Sequence, residues 1–312
     1  MLLSLFLALS LYFEHHNGER GLGMINCLAD SEIERFLEED LPYGDLTTHL
    51  LGIGQQTGEI RFSTRHHTTL CCTEEAGRVL EKSGCRVVQQ SASGTRLAPD
   101  ETFLRATGPA QALHAGWKVA LNLLEYGSGI ATRTAGIVAA ARGVNPNIAV
   151  LTTRKNFPGT KKVAIKAICA GGALPHRLGL SETVLVFKQH TVFLGGLEPF
   201  LQQIAALKRQ ALETKIIVEA DTPEEAKRIA LTGVDVIQVD KLAPARLKEL
   251  VSEIRQVNPG VKLSAAGGIN EQNAAEYAAS GVDILVLSSV YFGKPADIGA
   301  VIMAAEACNE SR

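Results

Sequence analysis

The sequence predicts an α/β protein, an N-terminal α+β domain followed by an incomplete parallel α/β barrel. Three observations carry this. Six short apolar runs in the second half each end in residues able to do chemistry, and helix-like stretches lie between most of them. A motif also recurs: Leu231-Thr-Gly-Val-Asp-Val-Ile-Gln-Val239 resembles Ala279-Ser-Gly-Val-Asp-Ile-Leu-Val-Leu287, each a helix end, a glycine cap and a buried strand. Strand alternating with helix implies a parallel sheet, and polar groups gathered at the carboxyl ends of buried strands imply one active-site mouth.

The first thirteen residues are apolar but have no Lys or Arg before them and no small-residue cleavage site after them. The run is shorter than the roughly 20 residues that span a bilayer, so residues 1–23 are expected to be an extension outside the fold, with no membrane partner. From Met24 the chain starts afresh, with Ser31 and Glu34 in a capping-box pattern for an amphipathic helix. Runs at 58–62, 85–89 and 102–106 lean to strand, and a helix is expected from about His114 to Tyr126. Gly127-Ser-Gly129 is expected to break it before a second helix from Thr132. These features place an α+β domain at 24–127 and a barrel at 128–290; the remaining C-terminal segment, 291–312, is expected to pack back toward the first domain.

Barrel strands are expected at 148–153, 183–187, 215–218, 234–239, 261–266 and 283–287, with helices such as Thr222–Leu231 and Asn270–Ala279 between them. Six strands against the eight of a complete barrel make it incomplete.

The bulk numbers exclude some classes. A net charge of -2 and 5% aromatic residues give no reason to expect nucleic acid or an anionic membrane surface. Six cysteines (27, 71, 72, 85, 169 and 308) show no metal-ligand spacing, which suits free thiols in the cytoplasm.

Chemistry concentrates at the strand ends. From Thr152 to Ser181 there are six Lys or Arg residues, one His and no Asp or Glu, a local positive field for carboxylate or phosphate groups. Lys161, Lys162 and Lys166 are read as a solvated helix face, whereas Arg154, Lys155, His176 and Arg177 flank that helix and are candidate anion ligands. Glu219 and Asp240 end consecutive strands, and two carboxylates there suit Mg²⁺ held through waters, sugar hydroxyls or a positively charged transition state. The competing reading is an ion pair with Lys188 or Lys241. Gly267-Gly268 is expected to open a helix, and with Ser288-Ser289 it makes a candidate phosphate cup. An anion site, two carboxylates and a phosphate cup together describe displacement of pyrophosphate from phosphoribosyl pyrophosphate through an oxocarbenium-like transition state.

The residues also carry a family resemblance. Leu121-Asn-Leu-Leu-Glu-Tyr-Gly-Ser-Gly-Ile-Ala-Thr132, Thr152-Thr-Arg-Lys-Asn-Phe-Pro-Gly159 and Gly171-Gly-Ala-Leu-Pro-His-Arg-Leu-Gly-Leu180 resemble the signature segments of nicotinate-nucleotide pyrophosphorylase, also called quinolinate phosphoribosyltransferase. The likeness runs from about Glu39 to Ser288. It implies a type II phosphoribosyltransferase fold, with an N-terminal α+β sandwich domain beside the incomplete barrel, and a homodimer or higher oligomer in which a partner subunit completes each active site. It further implies that Arg154, Lys155, His176 and Arg177 contact the substrate acid or pyrophosphate, that Glu219 and Asp240 serve ribose and Mg²⁺, and that Gly267, Gly268 and Ser288 lie near the 5′-phosphate. Where the family carries further substrate-binding cations this chain has Lys118 and Phe187, with Lys188 one position along. Thr152, Pro175 and Ala266 are other departures, and together they resemble the ModD subgroup associated with molybdenum transport. The leading expectation is therefore a ModD-like phosphoribosyltransferase acting on an anionic nitrogen heterocycle. A non-catalytic anion-binding or regulatory protein of molybdenum handling is the alternative from another class. A Schiff-base aldolase using Lys188 or Lys241 fits the barrel but leaves the Arg154, His176 and Arg177 cluster unexplained.

Overall fold

A computed structural model describes residues 28–305. The expected extension at 1–23, Cys27 and Cys308 lie outside the described residues. The chain divides into two units: one gathers 28–135, 157–171 and 293–305, the other 136–156 and 172–292.

In the first unit, α1 (Asp30–Asp40) and α2 (Leu46–Leu50) precede β1 (Thr57–Thr64), β2 (Thr68–Thr69), α3 (Thr73–Lys82), β3 (Arg86–Gln90), β4 (Arg96–Leu97) and β5 (Thr102–Pro109). Strand β13 (Ile298–Ala304) returns to pair antiparallel with β1, giving a four-stranded sheet in the order β13-β1-β5-β3. Alternation along β1 turns Ile60 and Phe62 inward, where they are fully buried with Phe103, Leu104, Val79 and Leu80. The cap of α1 differs from the expected Ser31–Glu34 box. The helix starts two residues earlier, the Ala29 N–H donates to Glu32 Oε2 at 2.9 Å, and Glu34 instead accepts from Lys82 at 2.8 Å.

Two further expectations fail in this unit. Helix α4 (Ala110–Val144) runs unbroken through Gly127-Ser-Gly129. The glycines allow close approach rather than a break: a Cβ on Gly127 would meet Cys72 Sγ at 2.7 Å, one on Gly129 would meet the Ala296 backbone N at 2.9 Å, and Ser128 Oγ accepts from the Cys71 N–H at 2.9 Å. Helix α5 (Lys161–Ala170) does not present Lys166 to solvent. Lys166 is 8% exposed, and its ammonium donates to Glu74 at 2.8 Å and to both oxygens of the buried Glu75 at 2.8 and 2.6 Å. Burial opposes the charge of that ammonium, yet bonds to the two carboxylates outweigh it and raise its pKa; Lys166 in turn helps hold Glu74 down at about 2. Lys162, by contrast, pairs at the surface with Glu32 at 2.6 Å.

The second unit is a seven-stranded parallel sheet: β6 (Ala149–Thr152), β7 (Leu174–Pro175), β8 (Val184–Val186), β9 (Ile216–Ala220), β10 (Val236–Asp240), β11 (Lys262–Ala266) and β12 (Ile284–Leu287), in the order β7-β6-β12-β11-β10-β9-β8. The six expected strands are present. The seventh, β7, is only two residues long and was invisible as an apolar run. Between the strands lie α6 (Lys188–Thr191), α7 (Leu197–Leu201), α8 (Ile204–Gln210), α9 (Pro223–Ala230), α10 (Pro244–Val257) and α11 (Ala274–Ala279). Thr222 caps α9, its side chain accepting from the Glu225 N–H at 3.2 Å, and Pro223 follows at the first helical position.

Residues of β12, β8, β9 and β10 meet on one face, where Ile284 and Phe187 pack on Leu185, Ile217 and Val236, so the sheet is curled. Counting in steps of two from Ile217 and Val236 puts Glu219, Gln238 and Asp240 on that same concave face, nearer the carboxyl edge. The opposite face, with Val218, Ile237, Val239 and Leu263, is buried with Ile229, Leu247, Leu250 and Ile254 of the helices.

Candidate active site

Every strand of the curled sheet ends its buried run at the same edge, because a parallel sheet points all carboxyl ends one way. That edge receives Arg154 and Lys155 after β6, His176 and Arg177 after β7, Lys188 after β8, Glu219 and Asp240 within the last two residues of β9 and β10, Gly267 and Gly268 after β11, and Ser288 after β12. Ten of the expected site residues thus share one edge. Lys118 belongs to the other unit, exposed on α4, with its ammonium 5.5 Å from the centre of the Trp117 ring.

One side of the edge is cationic. Arg154 and Lys155 are exposed, and no carboxylate lies within ion-pair distance of Arg154, Lys155 or Arg177 among the described residues. Burial and the neighbouring charge of Arg154 lower the pKa of Arg177, so the two guanidinium groups repel each other. His176 is anchored by its backbone N–H, which donates to Thr152 O at 2.9 Å. Burial, then the Arg177 charge, depress its imidazole to about 4, leaving it neutral near pH 7. Three unpaired cations and a neutral imidazole form a set of donors suited to a carboxylate or phosphate oxygen.

The other side is anionic. Glu219 and Gln238 are in register across β9 and β10, and Gln238 Nε2 donates to Glu219 Oε2 at 2.6 Å. Burial raises the Glu219 pKa, opposed by the Gln238 bond and reinforced by the charges of Asp240 and Asp221; the Lys155 charge lowers it. The carboxylates therefore sense one another, and Lys155 after β6 acts on Glu219 across the curl. The competing ion-pair reading holds in part. Lys241 pairs with Asp240 at 3.4 Å, whereas Lys188 pairs at 3.7 Å with Asp221, a residue the sequence reading passed over. Among the described residues no group of three or more His, Cys, Asp or Glu side chains is placed to hold a metal ion. Two carboxylates without a third ligand fit a hydrated Mg²⁺ shared with substrate oxygens, not a metal caged by protein.

The glycine loop differs from expectation. Gly267 and Gly268 have φ of 86° and 73°, and a Cβ on Gly267 would come within 2.5 Å of Asp240 Oδ1, so the loop needs glycine to lie against that carboxylate. No helix opens there. The side chains of Asn270 and Asn273 both donate to Gly268 O, at 3.2 and 3.1 Å, and hold the loop open until α11 begins at Ala274. Any phosphate at this loop would meet backbone N–H groups of a glycine turn, not a helix terminus.

Sequence reasoning missed three contributors. Gln238 is a lone polar residue inside an apolar run, two places before Asp240, and that spacing marks it as sharing the face of Asp240. Ser264 lies across from it on β11. Tyr291 sits with its hydroxyl 2.9 Å from Thr152 Oγ1 and 3.1 Å from Thr153 O, tying down the end of β6; nothing local in the sequence announces it.

A curled parallel sheet with opposed cationic and anionic strand ends defines an α/β site built for an anionic substrate. The comparisons agree: the C-terminal domain of quinolinate phosphoribosyl transferase matches residues 130–299 and its N-terminal domain residues 45–128, so the chain belongs to this family of pentosyltransferases. It is 41% identical over 248 residues to a protein of Rhodobacter capsulatus named as the pyrophosphorylase ModD, covering 80% of this chain and 95% of that one. A nicotinate-nucleotide pyrophosphorylase of Homo sapiens is 31% identical over 218 residues, 70% of this chain and 73% of the other. The solved nicotinate-nucleotide pyrophosphorylase of Francisella tularensis shares the fold with a TM-score of 0.80 at 20% identity, covering 92% of this chain and all of that one. No helix among the described residues is long and apolar enough to cross a membrane.

Proposed function

We propose that this protein transfers the phosphoribosyl group of phosphoribosyl pyrophosphate to a nitrogen of an anionic heterocycle and releases pyrophosphate. The observation that carries this is the opposition of unpaired Arg154, Lys155 and Arg177 to Glu219 and Asp240 along one sheet edge. Arg154 and Arg177 hold the acid group of the acceptor or the departing pyrophosphate, whose charge grows as the bond from the ribose anomeric carbon to oxygen breaks. The oxygen keeps that electron pair, and the ring nitrogen supplies the pair for the new bond to carbon. Glu219 and Asp240 face the electron-poor carbon and lower the energy of its positive charge. Mg²⁺, held by these carboxylates through water, would neutralise pyrophosphate. Neutral His176 donates or accepts a hydrogen bond without adding a charge. Gly267, Gly268 and Ser288 offer N–H and O–H donors to the 5′-phosphate. The likeness to pyrophosphorylases named ModD supports the release of pyrophosphate; a role beside molybdenum handling, in the cytoplasm and as a homo-oligomer, is part of the proposal.

The aldolase reading lacks its central requirement. Lys188 and Lys241 are 73% and 78% exposed and paired with carboxylates, whereas a Schiff-base lysine is activated by desolvation. Calorimetry with phosphoribosyl pyrophosphate and Mg²⁺ tests the proposal, followed by a nucleotide-product assay across heterocyclic acids. Arg154→Ala or Arg177→Ala should weaken binding by roughly tenfold or more, since a bond to a charged group contributes about 1.5 to 3 kcal/mol. Absence of binding by the parent protein would favour the non-catalytic alternative, and parent-like binding by both variants would remove the anion role.

A further inference from the structure

We infer that Gln238 is a positioning residue, which holds the carboxylate of Glu219 in one orientation at the mouth. The inference extends the proposed function, on which its consequence for ligand binding rests. Gln238 is 5% exposed in the middle of β10, a strand whose other residues from Val236 to Val239 are apolar and buried. An amide there is costly. Its Nε2 makes one hydrogen bond, to Glu219 Oε2 at 2.6 Å, while its Oε1 is buried without a partner. Ser264, directly across on β11 and 1% exposed, has a buried hydroxyl that likewise lacks a partner. A half-satisfied buried amide beside an unsatisfied hydroxyl stabilises a sheet less than an apolar side chain of the same shape would.

The stability of the sheet therefore does not account for Gln238. What it does is fix Glu219. No Lys or Arg side chain pairs with that carboxylate among the described residues, and Gln238 is its side-chain hydrogen-bond donor. With Oε2 held across the strand pair, the carboxylate cannot rotate freely, and Oε1 keeps one direction. Preorganised charge acts on a transition state because it need not reorient during the reaction. Ile217 and Val236, one layer beneath, form an apolar floor that offers no substitute donor.

Two arms test this. In ligand-free ¹⁵N-labelled protein, the side-chain amide signals that disappear in Gln238→Met should shift in Glu219→Ala; signals unmoved by Glu219→Ala would overturn the pairing. In the second arm, Gln238→Met should melt no lower than the parent yet bind phosphoribosyl pyrophosphate with Mg²⁺ roughly tenfold or more weakly, the loss of one bond to a charged group. Parent-like binding by Gln238→Met would overturn the positioning role, and so would a fall in melting temperature that accounts for the lost binding. The exchanged double variant Glu219→Gln with Gln238→Glu keeps the pair and the net charge but moves the carboxylate one strand over. It should not recover binding, and recovery would equally sink the inference. If the parent itself does not bind phosphoribosyl pyrophosphate, the phosphoribosyl reading falls, while the amide signals still decide whether Gln238 holds Glu219.

Discussion

His176 shows how one residue can couple the site to stability. Its imidazole is half-buried beside the Arg177 guanidinium, and burial first, then that charge, take its pKa from 6.5 down to about 4. The unfolded chain consequently binds a proton between those two values that the folded chain refuses. Stability must rise with pH where the unfolded state holds more protons, so this residue's contribution is complete above about 6.5 and is lost as pH falls toward about 4. Urea unfolding of the parent across that window should show decreasing stability on acidification, and His176→Gln should flatten part of the slope. An unchanged slope would mean that the imidazole takes up its proton in the folded protein. Ligand binding should behave in the opposite sense if a protonated imidazole helps an anion, so the two pH profiles of one variant separate the two roles.

At the scale of the element, α4 carries a paired test of why its glycines are there. Alanine in a helix interior is favoured over glycine by about 1 kcal/mol, so propensity alone predicts that any of them gains by replacement. Gly143, with no atom within 4 Å of its would-be Cβ, should gain stability as Gly143→Ala by roughly 0.5 to 1 kcal/mol. Gly127→Ala should instead lose stability, because its Cβ would lie 2.7 Å from Cys72 Sγ in a fully buried contact. Thermal melts of the two variants should move in opposite directions, and a gain at both positions would show that the cysteine yields. The same glycines mark where the sequence stopped being legible. Gly127-Ser-Gly129 reads locally as a helix break, and only the approach of a segment more than fifty residues away reveals close packing. Lys166 misleads for the same reason: its helix reads as solvated until Glu74 and Glu75, some ninety residues earlier, arrive to bury it. By contrast, the six long strands of the curled sheet and the residues that end them were legible, since apolar runs and the polar residues that terminate them are both local signals. The two-residue β7, the Gln238 to Glu219 bond and the Tyr291 tie were not, because each exists only across strands.

Taken as a whole molecule, the chain carries a net charge of -2 and yet gathers Arg154, Lys155 and Arg177 unpaired at one sheet edge, so its selectivity for anions is set locally. How many negative charges an acceptor brings should then depend on how many cations meet it, and here Phe187 is decisive. It shares the concave face with Leu185 and Ile217 and stacks on the His190 ring at 5.7 Å, placing an apolar surface where the family resemblance leads one to expect a cation. Lys188, the next residue, is drawn off to Asp221 at 3.7 Å and does not substitute for it. A dicarboxylate such as quinolinate therefore loses one charge-assisted contact, whereas a monocarboxylate such as nicotinate loses none. With about 1.5 kcal/mol or more at stake, kcat/KM for quinolinate should exceed that for nicotinate by far less than in a dedicated enzyme assayed alongside. Phe187→Lys should raise the quinolinate to nicotinate ratio by roughly tenfold. It should also lower the melting temperature, because it replaces a ring packed on Leu185 and Ile217 with a solvated ammonium. A strong quinolinate preference in the unmodified protein would sink the argument, as would a Phe187→Lys variant that is destabilised but unchanged in its ratio.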